Sequence, residues 1–273
     1  MKQEEIVEIL LQRYESIFEE LCSDGKPEWA VRKKSNSDLF VHPTIPFVGK
    51  NYFERDKKIL IYASAENLSS YKGHLDCDAL AKDRHRHYFS KPSDRFFPFV
   101  HIQPMQDGCL MNVLRYVCEK LEIAMPEEPR DFLENIAFAN FCKYSIQSGR
   151  NVDYASNAQY LEFSLNYVAA DLDLLKPDII IMPNTIFCVE NPFILEHSAR
   201  AKILPIMQIN AGNINRHIAP EYKSKNQNEL SSATKLWYDN LGKDNNSCIK
   251  GKTKENFLSV YTYLDEIITE NMK

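Results

Sequence analysis

Four short apolar runs separated by helical patterns constrain this chain more than any other feature. Lys58–Ala63 reads Lys-Ile-Leu-Ile-Tyr-Ala, and Asn135–Phe141 reads Asn-Ile-Ala-Phe-Ala-Asn-Phe. Asp178–Met182 reads Asp-Ile-Ile-Ile-Met, and Ile203–Ile209 reads Ile-Leu-Pro-Ile-Met-Gln-Ile. Runs this short and this uniformly apolar fit strands buried on both faces, the usual state in a helix-covered parallel sheet. Between them, Gly108–Leu121 carries Leu110, Val113, Leu114, Val117, Cys118 and Leu121 at helical spacing. Ser156 with Gln159 forms a capping box that opens a helix running to Leu175, where Pro177 stops it. A third helix is expected over Ile186–Ala199.

Helices are also expected outside that core pattern. Lys2–Cys22 places Ile6, Ile9, Leu10, Tyr14, Ile17, Phe18 and Leu21 on one stripe, closed by Ser23, Asp24, Gly25 and Pro27. Glu229–Leu241 and Thr253–Met272 finish the chain. His42–Phe47, with two prolines, reads as an extended lead-in. Repeated strand–helix–strand units imply a three-layer α/β/α sandwich around a four-stranded parallel sheet. No composition shift divides residues 1–273, so one domain is expected.

Composition excludes several classes. With 44% hydrophobic and 26% charged residues and a formal net charge of −5, the chain is neither disordered nor broadly nucleic-acid-binding by charge. No apolar run approaches the roughly 20 residues of a membrane span. The opening Met1-Lys2-Gln3-Glu4-Glu5 argues against a signal peptide, so a cytoplasmic location is expected. The seven cysteines are scattered with no Cys-x-x-Cys pair, which gives no support to zinc-ribbon or redox chemistry. His74, Asp76, Cys77, Asp78, His85 and His87 crowd one stretch, but Lys82, Arg84 and Arg86 among them oppose a cation. No metal or cofactor is expected. Gly251-Lys252-Thr253 lacks the glycine and the strand of a phosphate-binding loop, and no Gly-x-Ser-x-Gly elbow occurs. Lys243, Lys250, Lys252 and Lys254 read as a solvated basic patch.

Ligands of parallel sheets sit at the carboxyl ends of the strands. The segments there are Ala63-Ser64-Ala65-Glu66, Phe96-Phe97-Pro98-Phe99, Ala139-Asn140-Phe141-Cys142-Lys143 and Gln208-Ile209-Asn210-Ala211-Gly212-Asn213-Ile214-Asn215-Arg216. Taken in order over residues 58–216, with Gly108 opening a helix and Leu174–Asp178 leading a strand, they resemble the uracil-DNA glycosylase superfamily. The resemblance implies that the partner is DNA or a nucleobase or nucleotide, and that Asn140 recognises the base. Phe97 or Phe99 would stack on it, recovering part of the few kcal/mol lost when a base leaves the helix. A carboxamide suits uracil because it offers a donor and an acceptor together.

Two departures bear on activity. The family loop begins Gly-x-(Asp, Asn or Ala)-Pro, whereas here Glu66 stands at the proline position and is the only carboxylate of that loop. It is the candidate for orienting water and stabilising a cationic sugar. Where the family commonly has His-Pro-Ser, this chain has Gln208-Ile209-Asn210, so Gln208 would give the leaving base a neutral hydrogen bond. Asn210, Asn213, Asn215 and Arg216 are candidates for DNA contact. The leading reading is a glycosylase-like protein. The alternatives are a noncatalytic nucleotide- or nucleic-acid-binding module and a scaffold protein on the same fold.

Overall fold

The computed structural model describes residues 2–22, 31–34, 37–40, 45–64, 109–122, 131–143, 158–198, 200–225, 229–243 and 249–273. In chain order the elements are α1 (Gln3–Cys22), β1 (Val31–Lys34), β2 (Ser37–Phe40), β3 (Phe47–Val48), β4 (Ile59–Ala63), α2 (Cys109–Lys120) and β5 (Ala137–Asn140). There follow α3 (Ala158–Leu175), β6 (Ile179–Pro183), α4 (Asn184–His197) and β7 (Lys202–Ile206). Three short helical pieces, Ala211–Asn213, Ile214–Ile218 and Ala219–Tyr222, lead to α5 (Ser232–Asn240), α6 (Lys252–Asn256) and α7 (Leu258–Asn271). Among the described residues no helix is long and apolar enough to cross a membrane.

The fold is α/β, and the sheet is mixed and five-stranded. This corrects the expected set of four parallel strands. The added strand is β3, where Phe47 and Val48 pair antiparallel with Phe138 and Ala137 of β5. Two residues are too few to show an alternating pattern, and Pro46 just before them disguised the strand as a lead-in. An edge position reconciles both facts, because proline is tolerated only where no ladder donor is needed. β1 and β2 form a separate antiparallel hairpin that the sequence pattern did not announce.

The chain forms two compact units, Met1–Phe99 with Ile136–Ala201 and Val100–Asn135 with Lys202–Lys273. In the first, the strands run β3, β5, β4, β6, with β4 parallel to both β5 and β6. Ile59, Leu60, Ile61, Ala137, Phe138, Ile179 and Ile180 are all at most 2% exposed, as strands covered on both faces require. The helix α1 packs on α3. Ile6, Leu10, Tyr14, Ile17 and Phe18 turn inward as their spacing implies, whereas Ile9 falls on the outer face. Lys176 ends α3 with φ of 46°, its amide donating to the Leu172 carbonyl at 3.0 Å.

The second unit carries β7 and is otherwise helical among the described residues. Tyr261 of α7 donates to Asn112 of α2 at 2.6 Å, and Tyr116 of α2 donates to Asp265 of α7 at 2.8 Å. Arg115 donates to Thr234 of α5 at 2.7 Å and pairs with Glu119 one turn on. The expected single helix over Thr253–Met272 is two, α6 and α7, divided at Phe257.

Candidate functional site

The carboxyl end of β5 is the part of the expected site that the described residues contain. Ala63 of β4 sits opposite Asn140 in the parallel register. Pairing continues past both strands: Phe141 donates to the Ala63 carbonyl at 2.8 Å, and Cys142 donates to the Ser64 carbonyl at 3.0 Å. The backbone carrying Asn140 is therefore fastened to the chain that leads into Ala65 and Glu66. Asn140 is 7% exposed, and its Oδ1 has no hydrogen-bond partner among the described residues. A buried acceptor in that state costs about 1–3 kcal/mol.

Two other buried atoms share that condition, Arg55 Nε and Asn112 Nδ2. Asn112 lies within a helix pair and already accepts the Tyr261 hydroxyl through Oδ1. Asn140 differs in its position, at a strand end where parallel sheets receive ligands.

Three residues further on, the polar bonding is complete. Lys143 and Asp171 form an ion pair at 2.5 Å with side chains 1% and 0% exposed. Asp171 also accepts the Tyr14 hydroxyl at 2.7 Å and the Tyr62 hydroxyl at 3.1 Å. Lys143 Nζ lies 5.4 Å from the Tyr14 ring centre and 5.6 Å from that of Tyr62, while its backbone amide donates to Ser164. Burial pushes Asp171 above the usual carboxylate range although Lys143 and the two hydroxyls oppose it. Burial likewise holds Lys143 below the usual lysine value against the pull of Asp171. Tyr14 and Tyr62 are raised well above theirs, by burial first and then by the Asp171 charge. The cluster is sealed from solvent, so its role is to hold α1, β4 and α3 against the end of β5.

Sequence reasoning missed this hub. A signal was present: Tyr167, Val168, Asp171, Leu172 and Leu175 recur at helical spacing, so an acid stands inside an otherwise apolar stripe. A buried acid on such a stripe needs a cationic or hydroxyl partner.

The second unit holds the other described candidates. Beyond β7, Met207 donates its amide to the Tyr263 hydroxyl at 2.8 Å. Asn210 caps the following turn, its Oδ1 accepting the Asn213 amide at 2.9 Å. Asn213 in turn donates to the Gln208 carbonyl at 2.7 Å. Gln208, Asn210 and Asn213 thus come together in one turn, with the Gln208 side chain exposed. Asn215 donates to Thr253 and accepts from Asn256, each at 2.8 Å, and Arg216 is exposed. Glu66, Phe97 and Phe99 lie outside the described residues, as do Ser156 and the stretch from His74 to His87.

A cavity of about 430 Å³ opens at the amino ends of β4 and β6, lined by Lys58, Lys176, Asp178, His197 and Arg200 among others. Lys58 lies 3.7 Å from Asp178, and His197 Nδ1 lies 3.9 Å from Asp173. No protein-family model, curated protein or solved structure matches the chain.

Proposed function

We propose that this chain is a uracil-DNA glycosylase-like protein that recognises a nucleobase in DNA through Asn140, on a three-layer α/β/α fold and in the cytoplasm. The observation that carries the reading is the buried, unpartnered Oδ1 of Asn140 at the carboxyl end of β5. An extruded uracil offers an N3–H donor beside a carbonyl acceptor, the complement of a carboxamide. Pairing with N3–H would remove the cost of that acceptor. In this account Glu66 orients water at the sugar, Phe97 or Phe99 stacks on the base, and Gln208 donates to it as it leaves. Asn210, Asn213, Asn215 and Arg216 then face the DNA backbone. Hydrolysis adds water across the glycosidic bond, leaving a free base and an abasic sugar.

The replaced loop residues, Ala63-Ser64-Ala65-Glu66 and Gln208, support a second reading in which the pocket is kept for binding without turnover. An excision assay separates the two. Purified protein is incubated with single- and double-stranded oligonucleotides carrying one uracil, and alkali reveals abasic sites. Cleavage that disappears in both Glu66→Gln and Asn140→Ala supports the glycosylase. Binding without cleavage at high protein excess supports the noncatalytic module, and neither binding nor cleavage removes the nucleobase reading.

A further inference from the structure

We propose that Lys250 and Lys252, together with Arg216, form a phosphate-contacting surface for the DNA backbone; this rests on the nucleobase reading above and extends to two lysines the backbone contact given there to Arg216. Between Asn210 and Asn256 the sequence holds eight Lys and Arg against five Asp and Glu, a net +3 in a chain of −5. Positive charge is therefore concentrated here against the sign of the whole protein. Local charge of this kind, rather than net charge, is the electrostatic footprint of backbone binding.

The geometry joins two segments that the sequence keeps apart. Asn215 Nδ2 donates to Thr253 Oγ1 at 2.8 Å, and Asn256 Nδ2 donates to Asn215 Oδ1 at 2.8 Å. Lys223 adds a bond to Asn256 Oδ1 at 3.3 Å. Asn256 is 4% exposed, so the clamp ties the exposed Asn215 to a buried residue of α6. Arg216 follows one clamped residue and Lys252 precedes another, which brings the two exposed cations to neighbouring backbone positions.

Several other described cations of the unit are engaged. Lys225 pairs with Glu266 at 3.5 Å, Lys235 with Asp239 at 2.7 Å, and Lys254 donates to the Asp239 carbonyl at 3.1 Å. Arg216, Lys250 and Lys252 are exposed and have no such partner among the described residues. Gly251 between the two lysines has φ of 52° and ψ of −130°, and a Cβ built there would meet nothing within 4 Å. The only residue that takes this backbone without strain is thus placed where the chain lies open, which lets a strand approach closely.

The test measures oligonucleotide binding by fluorescence anisotropy across a range of salt, with a uracil-containing strand and its thymine counterpart. Wild type is compared with the Lys250→Gln/Lys252→Gln double variant, with Lys235→Gln as a paired-lysine control, and with Asn140→Leu. Each lost phosphate contact lowers the slope of log affinity against log salt by about 0.7–0.9. The double variant should therefore lose a slope of about 1.4–1.8, weakening both strands equally, while Lys235→Gln matches wild type. A double variant with the slope of Lys235→Gln overturns the surface, and the nucleobase reading survives if Asn140→Leu still abolishes uracil preference. Wild type that takes uracil nucleoside but no oligonucleotide also overturns the surface alone. Failure to bind either ligand removes both. Melting temperatures of the variants confirm that each is folded.

Discussion

Asn140 and Lys143 stand three residues apart on the same stretch of chain and are treated in opposite ways. Every charge at Lys143 is answered: the ammonium meets Asp171, and that carboxylate takes two tyrosine hydroxyls as well. At Asn140 an acceptor is buried and has no partner among the described residues. The contrast separates what holds the strand end in place from the residue that the proposal assigns to a ligand. It also assigns different costs. The ion pair contributes little net stability while complete and is strongly destabilising when halved. The orphaned amide costs free energy in the unliganded protein that removal or a ligand would recover.

The largest effect should follow from halving the pair. Asp171→Leu leaves Lys143 buried without its counter-charge and should cost about 3–5 kcal/mol in urea unfolding. Lys143→Met with Asp171→Leu should recover most of that loss; a double variant as unstable as the single would mean that packing, not charge, dominates the site. Next comes Tyr14→Phe, which removes a hydrogen bond to a charged group and should cost about 1.5–3 kcal/mol. Tyr62→Phe should cost less, since its bond is 3.1 Å against 2.7 Å.

Asn140→Leu should leave stability at or above wild type, by up to the roughly 1–3 kcal/mol now spent on the orphaned acceptor. A loss comparable to that of Asp171→Leu would break the comparison. The smallest effect concerns pH and contrasts the sealed pair with the Arg115–Glu119 network, whose carboxylate is partly exposed. Burial raises Glu119, but hydrogen bonds from Ser231, Thr234 and Arg115 and the Arg115 charge outweigh it and hold the carboxylate low. A depressed folded value means that this stabilisation is present above the unfolded carboxylate value of about 4.3 and is lost as pH falls through the folded one. Denaturation midpoints of wild type should fall between neutral and acid pH more steeply than those of Glu119→Gln. Parallel curves would show that Glu119 does not set that slope.

What could be read from sequence follows from what each element asks of its residues. β4 and β6 are legible because burial on both faces demands an unbroken apolar run. β3 is not, since two residues beside a proline carry no periodicity. The helix α4 was legible despite Pro192 inside it, because its length and its position between two strands leave little else. At the candidate site, Asn140 is singled out in sequence by its neighbours in the chain. Its orphaned oxygen could not be found that way, because a missing partner is a property of the whole packed neighbourhood. The amides of Asn210, Asn213 and Asn215 looked equally free in sequence, yet Asn210 caps a turn, Asn213 bonds the Gln208 carbonyl and Asn215 clamps α6. Polar side chains declare their type in sequence and their employment only in the fold.

The central claim is that Asn140 Oδ1 waits for a base N–H, and one substitution in the ligand tests it. Affinity is measured for an oligonucleotide carrying a single deoxyuridine and for the same strand with N3-methyldeoxyuridine, which lacks that donor. Wild type should bind the methylated strand about 5- to 150-fold more weakly, the equivalent of about 1–3 kcal/mol for the unmet acceptor. Asn140→Leu should bind the deoxyuridine strand no better than wild type binds the methylated one. Equal affinity of wild type for the two strands would contradict the account.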